Sequence, residues 1–341
     1  MRGRTLASLV AALGLAGCGD DGGGGGGGDP IDASSGDGPA ATGGYFPAGA
    51  WFYQDVSTTP PAATSAAQIA ALRASGGWGN RDVFQIDFSI DVLRVDGATP
   101  AKRTFTPTGD FYDPDCDHVP MPVPAGGNLE GEAGYACESD GDCHLIVWAP
   151  DEHRLYEMWR ANIVGAQFDG GCLAAWDTGP TLGPRGRGLQ CTSADAAGFP
   201  IAPLLFTADE VAAGDIPHAI RFILPNDRPR RGFVPPATHG TNTTGGANAP
   251  SYGVHLRLRA DYPLASLPSE GARVVARALQ RYGMFHADGG NIALTAQSDR
   301  HTTAKWDGLL GPRDLAALRV EDFEVIDHGP AIPLTYDCVR E

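Results

Sequence analysis

The sequence predicts a β-rich α+β domain, an antiparallel β-sandwich with a few helices at its edge, and three stretches carry that expectation. Phe84, Ile86, Phe88, Ile90 and Val92 alternate with Gln85, Asp87, Ser89 and Asp91, the period of two that a half-buried strand needs. Two β-prone runs, 145–148 and 154–159, flank a polar turn at 149–153 that carries Pro150 and Asp151, the pattern of an antiparallel hairpin. Ala272, Val275, Ala276, Leu279 and Tyr282 recur instead at helical spacing. Arg273, Arg277, Gln280 and Arg281 lie opposite them, with Pro268 before and Gly283 after.

The hairpin is where pattern turns into chemistry, because its register decides which side chains meet. With His144 opposite Glu157, one face holds Leu145, Val147, Tyr156 and Met158 as core. The other face then joins an imidazole, a carboxylate and two indoles: His144, Glu157, Trp148 and Trp159. Such a face suits a sugar-binding groove, and equally an ordinary mixed surface.

Taken in order, the chain opens with Arg2 and Arg4 before an apolar run, 6–16, that ends at Leu15-Ala16-Gly17-Cys18. The run is too short to cross a bilayer as a helix, which takes roughly 20 apolar residues. This start resembles a bacterial lipoprotein signal with its lipobox, so the expectation is cleavage of residues 1–17 and acylation of Cys18. The partner implied is a lipid membrane in the bacterial envelope. Gly19 in place of aspartate after the lipidated residue points to the outer membrane. Residues 18–44, with seven consecutive glycines at 22–28, read as a flexible tether. One domain, 45–341, is expected to follow.

Aromatic residues cluster at 45–53, the expected first strand. Ser65–Ala74 reads as a short helix ended by Gly76 and Gly77. Residues 193–198 read as a single helical turn. Thr207-Ala208-Asp209-Glu210 has capping-box spacing before a short helix closed by Gly214. Strands are expected at 219–224 and 254–259, a hairpin over 284–287 and 291–295, a helix over 312–318 and a last strand over 323–326.

Six cysteines remain after Cys18, which in an oxidising envelope suggests three disulfides. Spacing favours Cys137 with Cys143 and Cys172 with Cys191, leaving Cys116 for Cys338. The formal net charge of −16 argues against a nucleic-acid partner, which needs a basic footprint. Asp113, Asp115 and Asp117 alternate like the first half of a calcium loop. His118 stands where that loop wants glycine, however, and Pro124 where it wants a bidentate glutamate. No cofactor is therefore expected, with calcium there, or at the second acidic patch Glu138, Asp140 and Asp142, as the alternative. There is no G-x-S-x-G, H-E-x-x-H or G-x-x-x-x-G-K-[ST].

Several strings together resemble an uncharacterised family of secreted bacterial proteins over roughly residues 51–296. They are 142–144 before a strand, Leu155-Tyr156-Glu157, 192–198 with Pro200-Ile201, Asp209-Glu210-Val211, 218–222, and 279–283 followed by Ala287-Asp288. The resemblance implies a recurring domain with a leaning towards glycans, and no catalytic assignment.

The leading expectation is accordingly a membrane-tethered protein acting on polysaccharide, as a glycoside hydrolase or similar enzyme. Such an enzyme needs one carboxyl as acid and another as base or nucleophile. Glu157 and Asp288 are the candidate pair, with Asp142 in reserve and His144 beside them. Trp148, Trp159 and Trp176 are candidate stacking platforms, and His218, Arg221, His239 and Asn291 candidate substrate contacts. The alternatives are a non-catalytic glycan-binding or scaffold lipoprotein and a metal protein ligated by His144, His218 and His239.

Overall fold

Alternation along 84–92 is real, and it breaks at one residue. In a computed structural model that describes residues 44–341 except 98, 99 and 140, the run divides into β1 (Ile86–Ile90) and β2 (Val92–Arg94), which join different sheets. Asp91 is the buried corner between them. The polar side of β1, Asp87 and Ser89, is half-buried rather than open to water.

Further strands complete the two main sheets: β3 (Leu145–Ala149), β4 (Arg154–Trp159), β5 (Cys172–Asp177), β6 (Ile220–Leu224), β7 (His255–Leu258), β8 (Met284–Gly289), β9 (Leu294–Gln297) and β10 (Phe323–Ile326). The larger sheet has the order β1-β9-β6-β8-β7-β10, and the smaller β5-β4-β3-β2. The β-rich α+β class therefore holds. Both sheets are mixed: β1 runs parallel to β9, β6 to β8 and β2 to β3.

Three apolar layers hold the sheets. Ile146, Leu155, Ala174 and Trp176 of the small sheet meet Phe285 and Ala287 of the large one and Ala219 just before β6, with Phe52 and Phe199 filling between. The outer face of the large sheet is covered by helices α1 (Ser65–Ala74) and α3 (Glu270–Arg281). Met121, Leu129, Ile163 and Phe168 cover the outer face of the small sheet. The helix expected over 272–282 buries Ala272, Val275, Ala276 and Leu279 as its spacing required, and Ser269 caps it by accepting from the Ala272 N–H. Between them lies α2 (Ala208–Ala213), whose Thr207–Glu210 capping box makes both reciprocal bonds.

The central hairpin pairs Leu145 with Met158 and Ile146 with Glu157, two residues away from the expected match of His144 with Glu157. Side chains alternate with period two, so a shift of two leaves the faces sorted as expected. What differs is their surroundings. Both faces are largely buried, and Glu157 itself packs under the large sheet instead of lining a groove.

Other expectations are corrected. Residues 284–295 are not a hairpin, because β6 inserts between β8 and β9 and pairs with both. The apolar β6 has two edges to satisfy, and the turn after Asp288 spans the gap it fills. Residues 312–318 form turns, 193–198 an irregular loop, and 51–53 a single 3-10 turn. Two of the three disulfides are re-paired: Cys116–Cys172 and Cys191–Cys338 form beside Cys137–Cys143. The Asp117 N–H donates to the Leu173 carbonyl, laying Cys116 along β5, and the Gly188–Leu189 and Val339–Arg340 strands bring Cys191 to Cys338.

Among the described residues no helix is long and apolar enough to cross a membrane. The expected signal, Cys18 and the glycine run lie outside the described residues.

Candidate functional site

Arg221 is the second residue of β6 and stands between apolar neighbours, yet its side chain points between the two sheets and is only 5% exposed. A guanidinium there must be matched. Its Nε and Nη2 donate to Asp195 Oδ1 at 3.1 and 2.8 Å. Nη2 also reaches Asp288 Oδ2 at 3.3 Å, and Nη1 donates to Thr295 Oγ1 at 2.8 Å. The rigid fork of arginine thus ties β6, β8, β9 and the 192–198 loop at one point.

Each acid is aimed by a local device. Asp195 rides on a loop in which Ser193 Oγ accepts from the Asp195 N–H at 3.0 Å and donates to the Phe199 carbonyl at 2.6 Å. Gly198 closes that loop at φ 78°, where a Cβ would lie 2.1 Å from Thr238 Oγ1, so only glycine fits. Asp288 depends on a bulge. Phe222 pairs with His286 but Ile223 with Asp288, so Ala287 is an extra residue that swings Asp288 onto the Arg221 side.

A second pair adjoins the first. His144, at the entry to β3, meets Glu130 Oε2 through Nδ1 at 2.6 Å and the Ala194 carbonyl through Nε2 at 3.1 Å. Both partners are acceptors, so both ring nitrogens donate and the ring is an imidazolium. The other Glu130 oxygen accepts from Ser89 Oγ at 3.0 Å.

Burial and charge pull these groups apart. Burial opposes a charged imidazole, but the Glu130 carboxylate outweighs it and lifts His144 to about 9. Burial pulls Glu130 upward, and His144 with Ser89 overrides it, holding Glu130 down to about 2. Asp195 is driven by burial to about 7 against the pull of Arg221, with the Asp288 charge adding to the rise. Asp288 is raised for the same first reason. Its side chain is 24% exposed, so it is the member of the Arg221 group that solvent reaches. One Asp195 oxygen is buried with no partner among the described residues.

The expected site residues divide. Asp142, His144, Arg221 and Asp288 gather at this cluster, where Asp142 adds its charge to both His144 and Asp288. Asp142 is exposed and takes the Trp159 indole N–H at 3.0 Å, so Trp159 positions a carboxylate instead of presenting a free platform. His239 holds the Asp195 loop by donating from Nδ1 to the Ala196 carbonyl at 2.8 Å. Asn291 is exposed in the turn between β8 and β9.

Glu157 is a correction. It is fully buried, with Oε1 accepting from the Ile201 and Ala202 N–H groups and Oε2 from Trp176 Nε1, each at 2.8 Å. It anchors a backbone turn and offers a substrate nothing, and Trp176 is core with it. His218 is likewise sealed, between Glu210 Oε1 at 3.2 Å and the Ala219 carbonyl at 2.8 Å. With His218 and both nitrogens of His144 engaged, the three-histidine metal site does not assemble. Nor do the calcium candidates converge. Asp113 pairs with His118, Asp115 accepts from the Thr192 N–H, and Asp117 is neutralised by Arg187 and Arg340. Trp148 lies elsewhere, on a separate cleft. Asp140 lies outside the described residues.

Asp195, Glu130, Thr295 and Ser89 were missed by sequence reasoning. Ser89 sat on a polar strand face that reads as solvated, Asp195 in a string that reads as a helical turn, and Glu130 in a Gly- and Pro-rich stretch with no periodicity. No protein-family model, curated protein or solved structure matches this chain.

The His144–Glu130 pair makes stability depend on pH with a definite sign. A histidine raised in the fold contributes fully below its unfolded value near 6.5, and the contribution fades as pH rises through about 9. At 1.36 kcal/mol per unit the pair is worth on the order of 3 kcal/mol, an upper bound. Urea midpoints of the wild type should therefore fall between pH 6.5 and 9, and in Glu130→Gln that fall should flatten. Parallel curves for the two proteins would refute the pairing.

Proposed function

We propose that this chain is a lipid-tethered envelope protein that hydrolyses a glycan at the Asp288 cluster. The reading rests above all on one observation: Asp288 faces solvent, is raised by burial, and is coupled to an exposed carboxylate, Asp142. Two carboxyls in contrasting environments are what glycoside hydrolysis divides into acid and base. Asp288, in its protonated form, would give its proton to the leaving oxygen. Asp142, oriented by Trp159, would activate water or attack the sugar carbon. Arg221 and Asp195 position Asp288 from behind, and the His144–Glu130 pair fixes the loop that carries Asp195.

The three disulfides fit an oxidising envelope, and the lipobox-like start supplies the tether. The test is a screen of polysaccharides for new reducing ends, using membranes that carry the full chain and the Cys18→Ser form recovered as soluble protein. Asp288→Asn and Asp142→Asn should each lower turnover roughly 10²–10⁴-fold with little change in melting temperature. Absence of reducing ends from every polysaccharide, or full activity in either variant, would sink the hydrolase reading.

One observation favours a second reading, a non-catalytic glycan-binding lipoprotein. Arg221 and His144 are each already matched to a carboxylate within the protein, so the cluster also serves as a structural tie between the sheets. The same screen separates the two, since a binding protein releases no reducing ends.

A further inference from the structure

Away from the charged cluster, a cleft of about 720 Å³ opens between β2, β3 and the end of β9, within the range of small-ligand sites. Tyr45 and Trp148 form its aromatic wall, their ring centroids 4.6 Å apart, and the Arg94 guanidinium sits 4.3 Å over the Trp148 ring. Asp209 and His301 line it as well. Gln297 is the telling member. The residue is only 7% exposed and lines the cleft, and among the described residues no side chain or backbone group is hydrogen-bonded to its amide. Its amide atoms are not among the sealed ones, so two donors and an acceptor are open to whatever occupies the cleft.

The chemistry of the lining narrows the occupant. Arg94 is held by Asp96, and Asp209 already accepts from the Thr303 and Ala304 N–H groups, so no excess of positive charge awaits a phosphate, sulfate or uronate. The wall is aromatic and polar by turns, not aliphatic throughout as a lipid would require. Aromatic rings beside an amide open to the cleft suit a ring with apolar C–H faces and adjacent hydroxyls, which is a neutral sugar.

Position links the cleft to the cluster. Thr295, which binds Arg221, and Gln297 are two apart on β9, while His144 and Trp148 are four apart across the entry and body of β3. At the strand rise these are roughly 7 and 13 Å, on the same faces.

We infer that the Trp148–Gln297 cleft is a binding site for a neutral saccharide, distinct from the acid–base cluster. The inference rests on the reading of the protein as glycan-directed and adds a site that holds sugar without cleaving it. Gln297→Leu keeps the bulk and removes the amide, so it tests recognition with little threat to the fold.

The experiment is calorimetric titration of neutral hexasaccharides of glucose, xylose, mannose and N-acetylglucosamine into four proteins: wild type, Asp288→Asn, Gln297→Leu and the double variant. At least one sugar should bind wild type and Asp288→Asn alike, and Gln297→Leu should weaken it tenfold or more at unchanged melting temperature. Equal affinity for wild type and Gln297→Leu, or no binding by any of the four sugars, overturns the cleft. Binding that is lost in Gln297→Leu while no polysaccharide yields reducing ends leaves the cleft standing and removes only the hydrolase.

Discussion

Arg221→Met should cost about 3–5 kcal/mol of stability, the usual loss when one partner of a buried ion pair is removed. The arginine side chain is 5% exposed and faces Asp195, which is fully buried, and Asp288. Without it, two carboxyls must either stay charged in an apolar setting or take up protons, and burial has already brought Asp195 to about 7. Proton uptake becomes more expensive as pH rises above the unfolded carboxyl value. The deficit should therefore be larger at pH 8 than at pH 5. Arg221→Met combined with Asp195→Asn removes both the unmatched charge and its partner, and should recover much of the loss. Urea midpoints at the two pH values decide it. An equal deficit at pH 5 and pH 8, with no recovery in the double variant, would mean that Arg221 acts only through packing.

That cluster also marks where sequence reasoning stops. Local signals survive folding. The Thr207–Glu210 capping box, the α1 boundaries and the buried stripe of α3 depend on neighbours within a turn or two, and all are present. Face sorting in the hairpin survives too, because it depends on parity alone. Long-range order does not. Nothing near residues 284–295 announces that β6 will insert there, and the turn signal at Asp288 is the same whether the strands touch or stand one strand apart. Glu157 and Asp195 make the point within the site. Both are acids in apolar surroundings, but Glu157 is consumed by three N–H donors that arrive from residues 176, 201 and 202, while Asp195 keeps one oxygen without a partner among the described residues. Only the fold distinguishes an anchor from a poised group.

The disulfides offer the second large effect, and their pairing says why. Cys116–Cys172 closes a loop that contains β3 and β4, whereas Cys191–Cys338 closes one that contains β6 to β10. The two loops are disjoint, so each restrains the segment of one sheet, and their contributions should add. In the chain-entropy account stabilisation grows with loop length, and separations of 147, 56 and 6 residues correspond to roughly 5, 4 and 2 kcal/mol. Replacing both Cys191 and Cys338 by serine should therefore destabilise most. That variant should loosen the large sheet first, with hydrogen exchange rising in β6 to β10 before β3 and β4. Peptide mapping without reductant should recover Cys116 joined to Cys172 and Cys191 joined to Cys338. A peptide joining Cys172 to Cys191 would refute the pairing. Exchange that rises equally in both sheets would show instead that the sheets unfold as one unit, bound by the aromatic layer and by the cluster of His144, Glu130 and Ser89 between them.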